Sequence, residues 1–401
     1  MLTPSGFHVT PASAAAEIGI GLLGYRFMGK AHSNAYQRLP FFYPELPARP
    51  RLVAICGRHE AALADAAQRY GYEGYTTDWR ALLDDPRIAL FDNCASADGH
   101  AEPTIAAAQA GKHLWCEKPL ALNATDALRM WRAAERAGVV HMVGFNYRFV
   151  PAVRHLRDLI ASGRLGRIYS LRARYLQEGG DAPDRPYTWR HDRAAGGYGA
   201  LGDLGVHIID LARFLAGEIA AVSAMTATFV TERPLADQPG VRRVVSTDDQ
   251  FVAAVQFASG ALGSLEASKV ATGRKNHNTL EVNGALGSAV FNLERLNELD
   301  LYLREPDNSL NEGFRQVLVT ERDHPFYAAW WPHGHIIGWE HTFVHEAHHL
   351  LNAIATGSSI APDGATFEDG YKAMAVADAI LRAADSGQRQ PVVYEPLTPE
   401  G

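Results

Sequence analysis

From residue 18 to about 145, short apolar runs alternate with helical patterns. The runs read IGIGLLG, RLVAICG, IALFDNC, KHLWC and VVHMVGF. Between them lie Ala-rich stretches such as EAALADAAQRYG, PTIAAAQAG and ATDALRMWRAAERAG, several closing on Gly, a usual helix stop. Strands and helices in alternation predict a doubly wound parallel sheet, with helices on both faces.

After about residue 150 the rhythm changes. A helical stretch, AVRHLRDLIASG, leads into RIYSLRARYL, and longer strand-like runs follow: AVSAMTATFV, DQFVAAVQFASGALGSLEAS, NTLEVNGALGSAVFNLE, ELDLYLRE and RQVLVT. Two of them are broken by Gly-containing turns and read as hairpins. The fold class expected is α/β, with this second part an α/β domain on an open, mostly antiparallel sheet. The expected division is a disordered tail over 1–17, the parallel-sheet domain over 18–145, and the second α/β domain over 146–395. TERPLADQPGVRRVVSTDD is expected to be a long surface loop.

Composition narrows the class of partner. The net charge of −7 argues against nucleic acid or an anionic membrane. No run of about 18 apolar residues suggests a membrane span. The first seventeen residues lack Lys, Arg and a continuous apolar run, so a frayed tail and a cytoplasmic protein are expected. Cys56, Cys94 and Cys116 each close a predicted strand and read as buried single thiols.

The first chemical signal is GLLGYRFMGKAH, at the end of the first strand and the start of a helix. Gly24, Arg26, Phe27, Met28 and Gly29 fall in the register of a G-x-G-x-x-G fingerprint, with Arg26 where the second glycine belongs. The first glycine makes the tight turn, and the last allows close helix–strand packing. A helix N-terminus then faces a pyrophosphate. The second strand ends in Cys56-Gly57-Arg58, without the acidic residue usual for ribose hydroxyls. Arg58 favours a 2′-phosphate, and so NADP over NAD, unless it is a solvated turn residue. The cofactor expected is therefore NAD(P).

Two further stretches carry reactive groups. Glu117-Lys118-Pro119 follows a strand directly, at the end of such sheets where ligands bind. Lys118 there is either a proton-transfer group or an exposed lysine. In GGYGALGDLGVHIIDLARFL, Asp203 and His207 stand four apart on a predicted helix and share a face. Gly196, Gly197 and Gly199 before them would let the chain approach a ligand.

Lys118 in its E-K-P turn, together with G-G-x-x-x-x-D-x-G-x-H-x-x-D, resembles the glucose–fructose oxidoreductase / inositol dehydrogenase family, Gfo/Idh/MocA. GFNYRFVPAV and YTWR are similar to it too, and the likeness runs from Ile18 to about Val393. Within the family, GKAHSNAY, GALGDLGVHIIDLAR and the ERPL loop look most like sugar or glycoside 3-dehydrogenases. The resemblance implies hydride transfer between a nicotinamide and a hydroxyl carbon of a sugar, glycoside or cyclic polyol, with C3 suggested. It implies His207 as general base, and Asp203 and Lys118 as groups that orient the hydroxyls. It places Tyr147, Arg148, Trp189 and Arg190 near cofactor and substrate, with Glu117 on the cofactor side. It also implies a homodimer or homotetramer. Ala95-Ser96-Ala97 departs from the family's Thr-Pro-Asn, and Arg26 from its glycine. These departures leave a non-enzymatic nucleotide-sensing regulator as the alternative.

One string points elsewhere. His345-Glu346-Ala347-His348-His349 satisfies the H-E-x-x-H pattern of zinc hydrolases. The apolar arc of Phe343, Val344, Ala347, Leu350, Leu351 and Ile354 puts His345 and His349 on the far side, towards solvent or a neighbouring subunit. No metal site is expected. Just before it, WWPHGHIIGWEH offers aromatic surface for a sugar ring, with His333 or His335 to bond hydroxyls, or else plain packing in an inter-domain loop.

Overall fold

The computed structural model describes residues 16–304 and 312–397. The expected tail lies outside these residues, except that Ala16 and Glu17 already belong to the first strand.

Six parallel strands form the first sheet, in the order β3-β2-β1-β4-β5-β6. They are β1 (Ala16–Leu23), β2 (Ala48–Cys56), β3 (Gly74–Thr76), β4 (Leu90–Asn93), β5 (His113–Cys116) and β6 (His141–Val143). Strand β3 went unpredicted because three residues, GYT, carry no pattern. The helices between the strands are α1 (Phe27–Phe42), α2 (Glu60–Tyr70), α3 (Arg80–Asp84), α4 (Ala101–Gln109) and α5 (Ala124–Ala137). Helix α5 shows why: Asn123 caps it by accepting from the Asp126 N–H, and Gly138 closes it in the left-handed conformation. The strand order reverses between β1 and β4, and a crevice opens there beyond the carboxyl ends of the strands.

The second sheet has nine strands, in the order β16-β15-β14-β13-β7-β12-β11-β8-β17. In chain order this part runs α6 (Pro151–Ala161), β7 (Ile168–Leu176), α7 (Arg193–Gly196), α8 (Val206–Ala216) and β8 (Ile219–Ala227). It continues with β9 (Glu232–Pro234), β10 (Arg242–Val244), β11 (Gln250–Phe257), β12 (Leu262–Ser268), β13 (His277–Gly284) and β14 (Gly287–Asn292). It ends with β15 (Glu298–Leu303), β16 (Arg315–Leu318), α9 (Trp339–Thr356), α10 (Phe367–Ser386) and β17 (Gln390–Pro391). Only the β7–β12 pair is parallel. Alternation makes the sheet one-sided: in β11, Phe251, Ala253, Val255 and Phe257 are buried while Val252 is exposed. The expected 231–249 loop is instead pinned down by a small β9–β10 hairpin. The buried Arg233 guanidinium donates to the carbonyls of Ala182 and Gly180.

The H-E-x-x-H helix corrects the expectation made for it. His345 is fully buried, not solvent-facing. Helix α9 packs on α1 with one side, and residues 326–330 fold over the other. A helix covered all round has no exposed stripe for the 3.6-residue period to reveal. His345 donates from Nδ1 to the Phe149 carbonyl at 2.9 Å, and its Nε2 accepts from the Trp330 indole N–H at 2.7 Å. Burial drives its pKa down to about 3. The lone pair a metal needs is already engaged. His349 is half-buried and bonds the Ile360 carbonyl.

Candidate active site

The crevice at the strand ends continues into a cleft of about 760 Å³ between the two sheets. Its floor is the E-K-P turn. Its near wall is Phe27, Met28 and the 95–97 loop, and its far wall is Tyr147, Tyr175, Asp203, His207 and Asn276.

The phosphate turn fits its proposed task. Gly24 has φ +100°, and a Cβ there would lie 2.5 Å from the Cys94 carbonyl oxygen. A Cβ on Gly29 would lie 1.9 Å from the Gly24 oxygen, so helix and strand meet only because both are glycine. Arg26 sits at the N-cap of α1 with φ −80°, outside the left-handed region that favours glycine. No side chain caps the helix, so its first N–H groups are left for an anion. Phe27 is two-thirds exposed and stacks on Trp339 with centroids 5.5 Å apart. Arg58 is exposed and forms no ion pair among the described residues.

Lys118 and Asp203 meet across the two halves. The ammonium donates to Asp203 Oδ1 and to its backbone carbonyl, each at 3.0 Å. Lys269 lies 3.7 Å from the other carboxylate oxygen. Burial pushes the Asp203 carboxyl up, but Lys118, Lys269 and Arg190 outweigh it and hold it well below the usual range. Burial pulls Lys118 down, and Asp203 with Glu117 reverses this, so it remains a cation. Asp203 lies in a single π-helical turn, Leu201–Gly205, that opens α8. Such turns re-aim side chains, here placing Asp203 and His207 on the cleft wall together.

His207 is 6% exposed, and its Nδ1 is buried without a hydrogen-bond partner. Its ring packs on Tyr147 at 4.7 Å between centroids, with Phe145 and Tyr175 about it. Burial first, and the Lys118 cation second, hold its pKa well below the usual histidine value. It is a neutral imidazole facing a cleft, with spare capacity to accept a proton.

Other expected residues divide. Glu117, Trp189 and Arg190 line the cleft, as does Tyr147. Arg148 does not. It is fully buried in a bidentate pair with Asp210, at 2.6 and 2.8 Å, and leans on Asp369. A guanidinium sealed from water must be paired, so here it fastens α8 to its neighbours. His335 and His333 are exposed outside the cleft, where His335 bonds the Pro332 carbonyl. From the same stretch it is Trp339 that reaches the cleft. Gly199 is small because the Asp248 backbone presses on it, not because of a ligand. Lys269, Tyr175, Gln177 and Asn276 went unpredicted. Tyr147, Tyr175, Asn276 and Gln177 form one chain of hydrogen bonds along the wall. Spread over β7, the segments that follow β7 and β12, and the turn before β13, the four unpredicted residues left no compact motif.

Residues 18–145 match the oxidoreductase family with an NAD-binding Rossmann fold, and residues 153–290 match the Gfo/Idh/MocA C-terminal domain. The chain belongs to the Gfo/Idh/MocA family. Levoglucosan dehydrogenase of Pseudarthrobacter phenanthrenivorans is 42% identical, over 92% of this chain and 96% of that protein. Inositol 2-dehydrogenase of Rhizobium meliloti is 27% identical, over 91% and 96%. A solved levoglucosan dehydrogenase complex with NADH and levoglucosan superposes with a TM-score of 0.90 at 41% identity, covering 94% of this chain and all of that one. Membership of the Gfo/Idh/MocA family makes this chain an oxidoreductase with an NAD-binding Rossmann fold. No described helix is long and apolar enough to cross a membrane.

Proposed function

We propose that this protein is an NAD(P)-dependent dehydrogenase that oxidises a ring hydroxyl of a sugar or glycoside, with C3 the carbon suggested by resemblance. The observation that carries the proposal is His207: a neutral imidazole without an internal partner, on the wall of a cleft whose floor is the Lys118–Asp203 pair. His207 accepts the hydroxyl proton. Lys118 stays protonated and donates to the hydroxyl oxygen, while Asp203 accepts from a neighbouring hydroxyl. Trp339 gives the ring an apolar face. Gly24, Gly29 and the open amides of α1 would hold the pyrophosphate, with Phe27, Met28, Glu117, Trp189 and Arg190 around the rest. The nicotinamide, when bound, supplies the hydride acceptor.

The named relative and the solved levoglucosan dehydrogenase complex with NADH support a sugar substrate and NAD. Arg58, exposed and without an ion pair among the described residues, supports NADP. The ratio of kcat/KM with the two cofactors decides between them, using levoglucosan as the first sugar. Absence of turnover with levoglucosan, simple glycosides and inositols would sink the dehydrogenase assignment. Assembly is proposed through the open sheet, where Met225, Val252 and Leu262 stand exposed. Sedimentation velocity measures it.

A further inference from the structure

Behind the E-K-P turn lies a second group of titratable side chains, which reaches from Glu117 at the cleft into the interior. His32, on α1, is fully buried. Its Nδ1 lies 2.9 and 3.1 Å from the two oxygens of Asp92, and its Nε2 lies 3.1 Å from Glu117 Oε1. The ring stacks on Trp115 at 3.9 Å. Tyr36 donates to Asp92 Oδ2 at 2.9 Å, and Cys94 Sγ lies 3.3 Å from Nδ1. The other oxygen of Glu117 accepts the backbone N–H of Lys118 at 3.2 Å.

Ionised carboxylates accept and do not donate, so a ring lodged between two of them carries a proton on each nitrogen. His32 is then an imidazolium, one cation serving two buried carboxylates. Burial alone would strip its proton, but Asp92 outweighs this and raises its pKa well above the usual value. A third acid completes the account. Glu346, from H-E-x-x-H, is fully buried with both oxygens unpartnered. Burial raises its pKa strongly; the charge of His32 opposes this, and Glu117 and Asp92 add to it, so the carboxyl is held well above the usual range. His32, Asp92 and Cys94 also bring donor atoms within 4.8 Å of one another, a metal-like spacing.

We infer that His32 is a positioning residue for the reaction: clamped on Asp92, it fixes the Glu117 carboxylate, and Glu117 fixes the Lys118 turn whose ammonium meets Asp203. The inference rests on the role given to Lys118 above. Gly144 supports it independently. A Cβ there would lie 2.5 Å from Glu117 Oε1, so the fold keeps this space open for the carboxylate in its clamped position.

Two measurements on the full-length protein test the clamp. The first is ¹⁵N NMR of the imidazole rings at pH 7.5, in which one ring should show both nitrogens protonated and should vanish in His32→Gln. A single neutral tautomer at His32 would overturn the inference, whatever the enzyme does. The second is steady-state oxidation of levoglucosan. Gly144→Ala and His32→Gln should each lower kcat about a hundredfold, the cost of misplacing a reacting group by about an ångström. KM for the sugar should change less than about threefold, and Glu346→Gln should match the parent. Native kcat in both clamp variants, with native melting, would also overturn it. If the parent oxidises none of the sugars, the dehydrogenase assignment fails, and the imidazole spectrum still decides the clamp.

Discussion

Two buried histidines, His207 and His345, share a helical setting, an acidic near neighbour and a depressed pKa. Only one borders open space. His345 has both ring nitrogens engaged, by Phe149 and Trp330, and its acid, Glu346, touches no donor. His207 keeps an unpartnered nitrogen, lines a cleft, and stands near an aspartate that two lysines hold ionised. The more familiar string of letters belongs to the inert site. What separates them is unused hydrogen-bonding capacity next to open volume.

That contrast can be broken by substitution. The largest effect should come from His207→Gln, which should lower kcat/KM for levoglucosan oxidation by about a thousandfold, within the usual range for loss of a general base. His345→Gln should leave it within a few-fold, and equal losses in the two would erase the distinction. Next, Lys118→Ala should cost about a hundredfold in kcat, since Asp203 would lose its closer cation. Stability should reverse the ranking. His345→Ala strands the Trp330 N–H and the Phe149 carbonyl and should destabilise the fold by about 2–4 kcal/mol in urea unfolding.

A pH titration sharpens the same point. His345 is neutral when folded, its pKa near 3 against 6.5 for an ordinary histidine. Below pH 6.5 the unfolded chain therefore takes up a proton that the folded chain refuses until about pH 3. Its contribution is whole above pH 6.5 and is lost as pH falls through that window, at up to about 1.4 kcal/mol per pH unit. His345→Gln should flatten the acid side of the stability curve. The smallest effect should be at Arg58. Arg58→Ala should raise KM for NADP⁺ about tenfold and leave KM for NAD⁺ alone, and equal changes would detach Arg58 from cofactor choice.

The order of strands and helices was legible because each element carries its own period and stop signal. So was the meeting of Lys118, Asp203 and His207 on one cleft, since each sits in a compact motif. Three kinds of feature were not. β3 is too short to show a period. The wall of Tyr175, Gln177, Asn276 and Lys269 is gathered from separate strands and turns. The true orientation of α9 depends on residues 326–330 folding back over it, a tertiary event that the helix's own letters do not record. Arg148 failed for a related reason: an arginine beside a site motif reads alike whether it reaches the ligand or ties down a helix.

The E-K-P turn has a consequence for how such a site can change over generations. Strand β5 ends at Cys116, and the next two residues turn opposite ways, Glu117 back to His32 and Lys118 forward to Asp203. The dipeptide is inherited as one unit with two obligations. Drift at position 32 or 92 is therefore felt at position 117, and through it at a lysine those residues never touch. Among natural relatives, positions 32, 92 and 117 should vary together while the surface around them varies freely.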